Sequence, residues 1–207
     1  MSTDVIVLYH FQRCPYCEKV RRAFRFFNLR YESREIDPTD RAEVQRVSGQ
    51  ESVPLILDGA TVLHGSTRII EYLDREYGGA DHLIPVDGWE SSASYLMDRY
   101  AESVWGKLTS RALKQKGKHG RPLDKSGVAS LQQKINGESA LLDNYFRFHR
   151  FAAGDSLSLG DLSLSAFLSR IQEFSDFTIH TQFEYLLEWY DRVNKRLIRE
   201  EKQPSKL

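Results

Sequence analysis

Val5-Ile6-Val7-Leu8-Tyr9, His10-Phe11-Gln12-Arg13, Cys14-Pro15-Tyr16-Cys17, then Val20, Ala23, Phe24 and Phe27 at helical spacing: this stretch decides the fold. The apolar, β-branched run reads as a strand. The later apolar positions recur at i, i+3, i+4 and i+7, one face of a helix. The cysteine pair therefore sits where a strand ends and a helix begins, a context typical of redox sites. These are the only two cysteines among 207 residues. So few do not make a disulfide scaffold, and a reducing compartment, the cytoplasm, is expected.

The spacing has direct chemical consequences. A free thiol has a pKa of about 8.5, and the thiolate is the nucleophile. Cys14 falls at the N-cap, where unsatisfied N–H groups and the positive end of the helix favour an anion. Pro15 follows at the first helical position, where its missing N–H costs nothing. Cys17 lies within the first turn, within the roughly 4.4–6.8 Å between Cα atoms that a disulfide permits. Cys14 can thus attack and Cys17 resolve, with Arg13 adding positive charge. Zinc needs about four ligands, and there is no second Cys-x-x-Cys; no metal is expected. An inert buried pair and a vestigial site in a partner-binding protein are the other readings.

Outward from this stretch, the first 78 residues alternate short strands with amphipathic helices. Pro15–Asn28 is expected as a helix, Tyr31–Ile36 as a strand and Arg41–Val47 as a short helix. Pro54–Leu57 and Thr61–Leu63 flank a turn at Asp58-Gly59. Ser66–Tyr77 is helical, with Ile69, Ile70, Leu73 and Tyr77 on one face. The order βαβ-α-ββα predicts a small mixed sheet covered by helices. Gly78 is expected as the left-handed residue that ends the helix. Residues 79–88 read as a linker. Residues 89–207 show only helical patterns: Trp89–Gln115, Ser126–Phe151, Leu159–Phe174 and Gln182–Lys202. The fold class is therefore α/β followed by an all-α bundle. Ser158 and Asp161 fit a capping box, with Leu157 and Leu162 placed for a hydrophobic staple. Asp161 is read as a stability residue, its loss costing about 1 kcal/mol.

Bulk composition narrows the function classes. Net charge is zero from 29 basic and 29 acidic residues. Residues 1–80 carry 11 basic and 12 acidic side chains, the remainder 18 and 17, so neither half is a polyanion binder. The basic loop Lys114–Lys125 has no interleaved aromatics and reads as solvated, so no nucleic-acid partner is expected. No run approaches the roughly 18 apolar residues of a membrane span. Met1-Ser2-Thr3-Asp4 has no basic n-region, so no signal peptide is expected.

Cys14-Pro15-Tyr16-Cys17, Val53-Pro54 and Gly65-Ser66 before a helix together resemble the glutathione transferase superfamily, and the two-domain glutaredoxins within it. The helical second half with its Ser158/Asp161 cap is similar to the second domain of glutathione transferases. The resemblance implies a thioredoxin-like first domain and a thiol–disulfide oxidoreductase that reduces glutathione mixed disulfides or protein disulfides. Cys14 and Cys17 would be catalytic. Arg13, Tyr16, Val53, Pro54 and Ser66 would bind glutathione. Pro54 would be cis, the Val53 backbone would pair with the tripeptide, and Ser66 would take its γ-glutamyl carboxylate. Glutathione would be a cosubstrate, with no tightly bound cofactor, in a monomer or homodimer. The family commonly has an acidic residue where this chain has Gly65. Glu51 and Asp74 are candidates to replace it, and Gly65→Glu is expected to tighten glutathione binding if position 65 tolerates a side chain, or to strain the turn and destabilise the fold if Gly65 has a positive φ. Two rivals remain: a cysteine-type transferase or isomerase acting on electrophiles, with Tyr95, Tyr100 and Trp105 available to line a cleft, and a non-catalytic binding protein.

Overall fold

The computed structural model describes residues 5–86, 88–115 and 124–198. The first strand, β1 (Ile6–His10), pairs in parallel with β2 (Tyr31–Glu35) and antiparallel with β3 (Leu55–Asp58). β3 pairs antiparallel with β4 (Thr61–His64), giving the sheet order β2-β1-β3-β4. Three helices belong to this sheet: α1 (Pro15–Phe26), α2 (Ala42–Ser48) and α3 (Ser66–Tyr77). Successive strand side chains point to opposite faces. Tyr9 and Leu55, with Val7 and Leu57, pack with Val44 of α2. The alternate residues Leu8 and Ile56 are fully buried, as are Val20 and Phe24 of α1 and Ile69, Ile70 and Leu73 of α3. This is the mixed sheet expected from the element order.

The turn between β3 and β4 is Gly59-Ala60, with Asp58 paired to Thr61 inside the ladder. Asp58 ends β3 through that pairing, and its carboxylate accepts from two α3 tyrosines, Tyr72 Oη at 2.8 Å and Tyr77 Oη. The end of α3 also differs from expectation. Gly78 keeps right-handed helical backbone, and the left-handed residue is Gly79, at φ +60°. Asp74 draws the following chain back by accepting from the N–H groups of Leu83 (2.5 Å) and Ile84 (3.4 Å).

The chain divides into two compact units. One runs through Ile84 and resumes at Lys195; the other is Pro85–Asn194. The second is all helical: α4 (Gly88–Tyr100), a π-helical turn (Ala101–Trp105), α5 (Gly106–Gln115), α6 (Lys125–Phe146), α7 (Leu159–Gln172) and α8 (Glu184–Ile198), whose last turn falls in the first unit. The stretch expected as one helix over Trp89–Gln115 is thus interrupted by the π turn. α6 stops at Phe146 rather than Phe151, because Phe151, Ala152 and Ala153 turn into the core. The basic loop lies mostly, and Met1–Asp4 wholly, outside the described residues.

α7 is the central helix of this unit, buried on nearly every side. Its capping box is formed: Asp161 accepts from the Ser158 N–H (2.9 Å) and from Ser158 Oγ (2.7 Å). Its other oxygen accepts from Ala152 N–H (2.8 Å) and from the Trp189 indole (2.7 Å). Leu157 and Leu162 are both buried, as a staple requires. Gly160 lets α7 approach α4: a Cβ there would stand 2.8 Å from Met97 Cβ and 3.0 Å from the Ser94 carbonyl oxygen. Trp189 stacks on Phe146 at 4.3 Å, Trp105 is fully buried, and Trp89 is exposed.

Candidate functional site

Strand register brings the candidate residues to one end of the sheet. Tyr9 pairs with Leu55, and Leu55 with His64. The loop from Phe11 to Cys14, the segment before Leu55, and the start of α3 after His64 therefore share the C-terminal end of β1. The Val53–Pro54 peptide is cis. The Gly65 N–H donates to the Pro54 carbonyl at 3.2 Å, tying the head of α3 to the proline loop. Gln50 organises that loop: its amide nitrogen donates to the Ser52 carbonyl (2.9 Å), and its oxygen accepts from Ser52 N–H (2.5 Å).

Cys14 is the N-cap of α1, with Pro15 at the first helical position. Its sulfur accepts from the Cys17 N–H at 3.4 Å. Both cysteines are free thiols, Cys14 half-buried and Cys17 buried. Their acidities diverge. The Cys17 thiol, hydrogen-bonded to the Cys14 sulfur, is the largest influence lowering the Cys14 pKa, to about 7. Burial opposes this, while the N–H groups of Cys17 and Tyr16 and the cation of Arg21 add to it. Cys17 is pushed up, first by burial, then by its hydrogen bond to Cys14 and the charge there. A half-buried thiolate beside a buried thiol that keeps its proton is an arrangement for one nucleophile.

The remaining candidates separate. Tyr16 supplies its N–H to Cys14, and its side chain is half-buried. Arg13 is exposed, and the arginine whose charge bears on Cys14 is Arg21. Val53 is half-buried and Pro54 buried. Ser66 is the buried first residue of α3, and next to it Thr67 accepts from Lys19 Nζ of α1 at 2.7 Å. Gly65 stands before it at φ +89°, with no atom within 4 Å of a would-be Cβ. Space is available, but the backbone is glycine's, and a side chain there carries about 1–3 kcal/mol of strain. Of the two outcomes expected for Gly65→Glu, the positive φ selects the second: the substitution strains the turn and costs stability. Asp74 is engaged with Leu83, Ile84 and His82, a structural role; Glu51 is exposed on the loop before Val53. Trp105 is core, and Tyr100 donates to Glu138 at 2.6 Å.

Sequence reasoning missed Arg21, His10 and Gln50, whose roles come from tertiary placement. The apolar-face template passes over a charged residue such as Arg21 even when it is buried. Among the described residues, no group of three or more His, Cys, Asp or Glu side chains could hold a metal ion, and no helix is long and apolar enough to cross a membrane.

A thioredoxin-like sheet carrying a cis-proline loop and a helix-capping thiol, followed by an all-helical unit, defines the glutathione transferase class of architecture. The family model described as glutathione S-transferase, N-terminal domain, matches residues 8–81. A probable maleylacetoacetate isomerase of Vibrio cholerae is 36% identical over 91 residues, which span 41% of this chain and 42% of that protein. Glutathione S-transferase D6 of Drosophila melanogaster is 26% identical over 72% of this chain and 67% of its own. Among solved structures, FzlA from C. crescentus superposes with a TM-score of 0.84 at 17% identity, covering 94% of this chain and 89% of that one. A Bombyx mori glutathione transferase does so at 0.83 and 19%, covering 97% and 92%.

Proposed function

We propose that this protein is a glutathione-dependent enzyme that works through Cys14, and that its reaction is thiol–disulfide exchange. One observation carries the reading: the Cys14 sulfur caps α1, receives the Cys17 N–H, and is held near pKa 7. At neutral pH about half of it is thiolate, against a few per cent for a free thiol. In the first step the Cys14 thiolate attacks the glutathione sulfur of a mixed disulfide. The substrate sulfur leaves with the bonding pair and takes up a proton, and Cys14 is joined to glutathione. A second glutathione thiolate then attacks that glutathione sulfur, restoring the Cys14 thiolate and forming oxidised glutathione. Cys17 would resolve protein disulfides, a slower route because its thiol must first give up a firmly held proton. Val53, Pro54, Ser66, Tyr16 and Arg13 would form the glutathione seat. The head of α3 suits the γ-glutamyl carboxylate, since helix N-termini bind anions. A reducing compartment suits this chemistry, in which both thiols must persist.

A second reading, a transferase or isomerase that uses the same thiol on small electrophiles, is favoured by the likeness to a probable maleylacetoacetate isomerase and to glutathione S-transferase D6. Both are tested together. Wild type, Cys14→Ser and Cys17→Ser are assayed on a glutathione mixed disulfide and on an electrophile with glutathione. Exchange predicts turnover of the mixed disulfide, lost in Cys14→Ser and kept in Cys17→Ser. Full mixed-disulfide activity in both variants refutes it; activity on the electrophile alone selects the second reading.

A further inference from the structure

Arg21 lies two helical turns after Cys14, on the same face of α1. Long side chains on a helix lean back toward its N-terminus, and Arg21 reaches into the loop that carries the cysteine. Its residue is only 9% exposed. Burying a guanidinium is costly unless its donors are matched, and here they are matched by three different elements. Nε donates to Glu18 Oε2 at 2.9 Å, Nη1 meets His10 Nδ1 at 3.0 Å, and Nη2 donates to the Gln12 carbonyl at 3.2 Å.

The partners lock one another. A guanidinium only donates, so His10 Nδ1 accepts and its proton sits on Nε2, which donates to Ser33 Oγ on β2 at 2.7 Å. His10 is held neutral, its pKa lowered first by burial and then by Arg21. The connection therefore runs from β2 through His10 to Arg21 and on to Gln12, two residues before Cys14. The Cys14 N–H is also tied to the Phe11 carbonyl at 3.3 Å. The titratable and charged groups bearing on this cluster are Glu18, Arg22 and Arg25 of α1, His10 of β1, Tyr31 and Glu35 of β2, and the two cysteines; Arg22 Nε stands 3.3 Å from Glu18 Oε1.

We propose that Arg21 is the positioning residue of the Cys14 site: it clamps the Gln12–Cys14 loop to β1 and holds a fixed positive charge against that loop. This rests on reading Cys14 as the reacting thiol. The guanidinium does not touch substrate; it sets where the sulfur sits and how readily it ionises. No shorter or neutral side chain can join Glu18, His10 and Gln12 at once.

The test is the rate of Cys14 alkylation by iodoacetamide against pH, on the full chain, beside turnover of a glutathione mixed disulfide and thermal unfolding. Arg21→Met is expected to raise the alkylation midpoint by a few tenths of a pH unit, since the Arg21 charge is the smallest of the influences on Cys14. The rate at pH 6 then falls about twofold, in line with the thiolate fraction. Arg21→Lys keeps the charge but cannot span three acceptors; it is expected to hold the midpoint and still lose turnover severalfold. Should Arg21→Met fail to fold, Arg21→Gln, which keeps a donor for the Gln12 carbonyl without the charge, gives the same reading. An unchanged alkylation profile in the folded variant overturns the proposal. Absence of mixed-disulfide turnover in wild type would sink the exchange reading instead, and the alkylation profile would still decide the role of Arg21.

Discussion

Asp161 divides its two oxygens among four donors from three places: Ser158 twice, the Ala152 N–H and the Trp189 indole. Its complete burial pushes its pKa up to about 6 against the pull of those donors. Losing an N-cap alone costs about 1 kcal/mol, but a buried donor left unpaired costs roughly 1–3 kcal/mol each. Asp161→Ala is therefore expected to lower stability by about 3 kcal/mol or more, read from urea unfolding; a loss near 1 kcal/mol would mean that the Ala152 and Trp189 bonds contribute little. Cys14 behaves oppositely with pH. Its folded pKa of about 7 lies below the ordinary thiol value of about 8.5. Between those values the unfolded chain binds more protons than the folded one, so stability rises with pH from about 7 to about 8.5. Cys17, pushed up by burial, acts only above the ordinary thiol value, and there it favours unfolding. The urea midpoint should increase from pH 6.5 to pH 8.5 in wild type, and this increase should shrink in Cys14→Ser.

At the level of elements, the contact between α4 and α7 turns on Gly160. Alanine is a better helix former than glycine by about 1 kcal/mol, which alone would stabilise α7. The new Cβ would instead meet Met97 Cβ, the Ser94 carbonyl oxygen and, at 3.1 Å, Ala152 Cβ. Overpacking of this kind costs typically 1–3 kcal/mol. Gly160→Ala should lower the thermal midpoint by several degrees, and a rise would show that α4 slides freely against α7. The same helices show what a sequence does and does not disclose. Strands and helices of the first unit were readable because their apolar periods are clean, as in Val5–Tyr9 and Ser66–Tyr77. The π turn at Ala101–Trp105 was not, because the buried positions 94, 98, 101, 105, 108 and 112 keep helical spacing straight through it. At the candidate site, Cys14 and Cys17 stand out by residue type and spacing, whereas the turn before Ser66 is singled out only by the family resemblance. Arg21 and His10 do not stand out: their partnership joins residues eleven apart through a loop, and each alone reads as a surface polar residue.

The molecule as a whole segregates its chemistry from its chromophores. Both cysteines lie in the first unit, while Trp89, Trp105 and Trp189 all lie in the second. In urea, Asp161→Ala and Gly160→Ala should move the midpoint seen by tryptophan emission to lower denaturant. The midpoint of Cys17 exposure, followed by thiol labelling, reports the first unit. If the two midpoints stay equal in every variant, the units unfold together; separate midpoints identify two cooperative blocks. Trp105 and Trp189 are buried away from water, so their emission should be blue-shifted in the native protein, with exposed Trp89 adding a red component. None of the chromophores that report on the second unit is part of the first, so events at Cys14 are best followed directly, with a label or a nuclear probe placed in the first 84 residues.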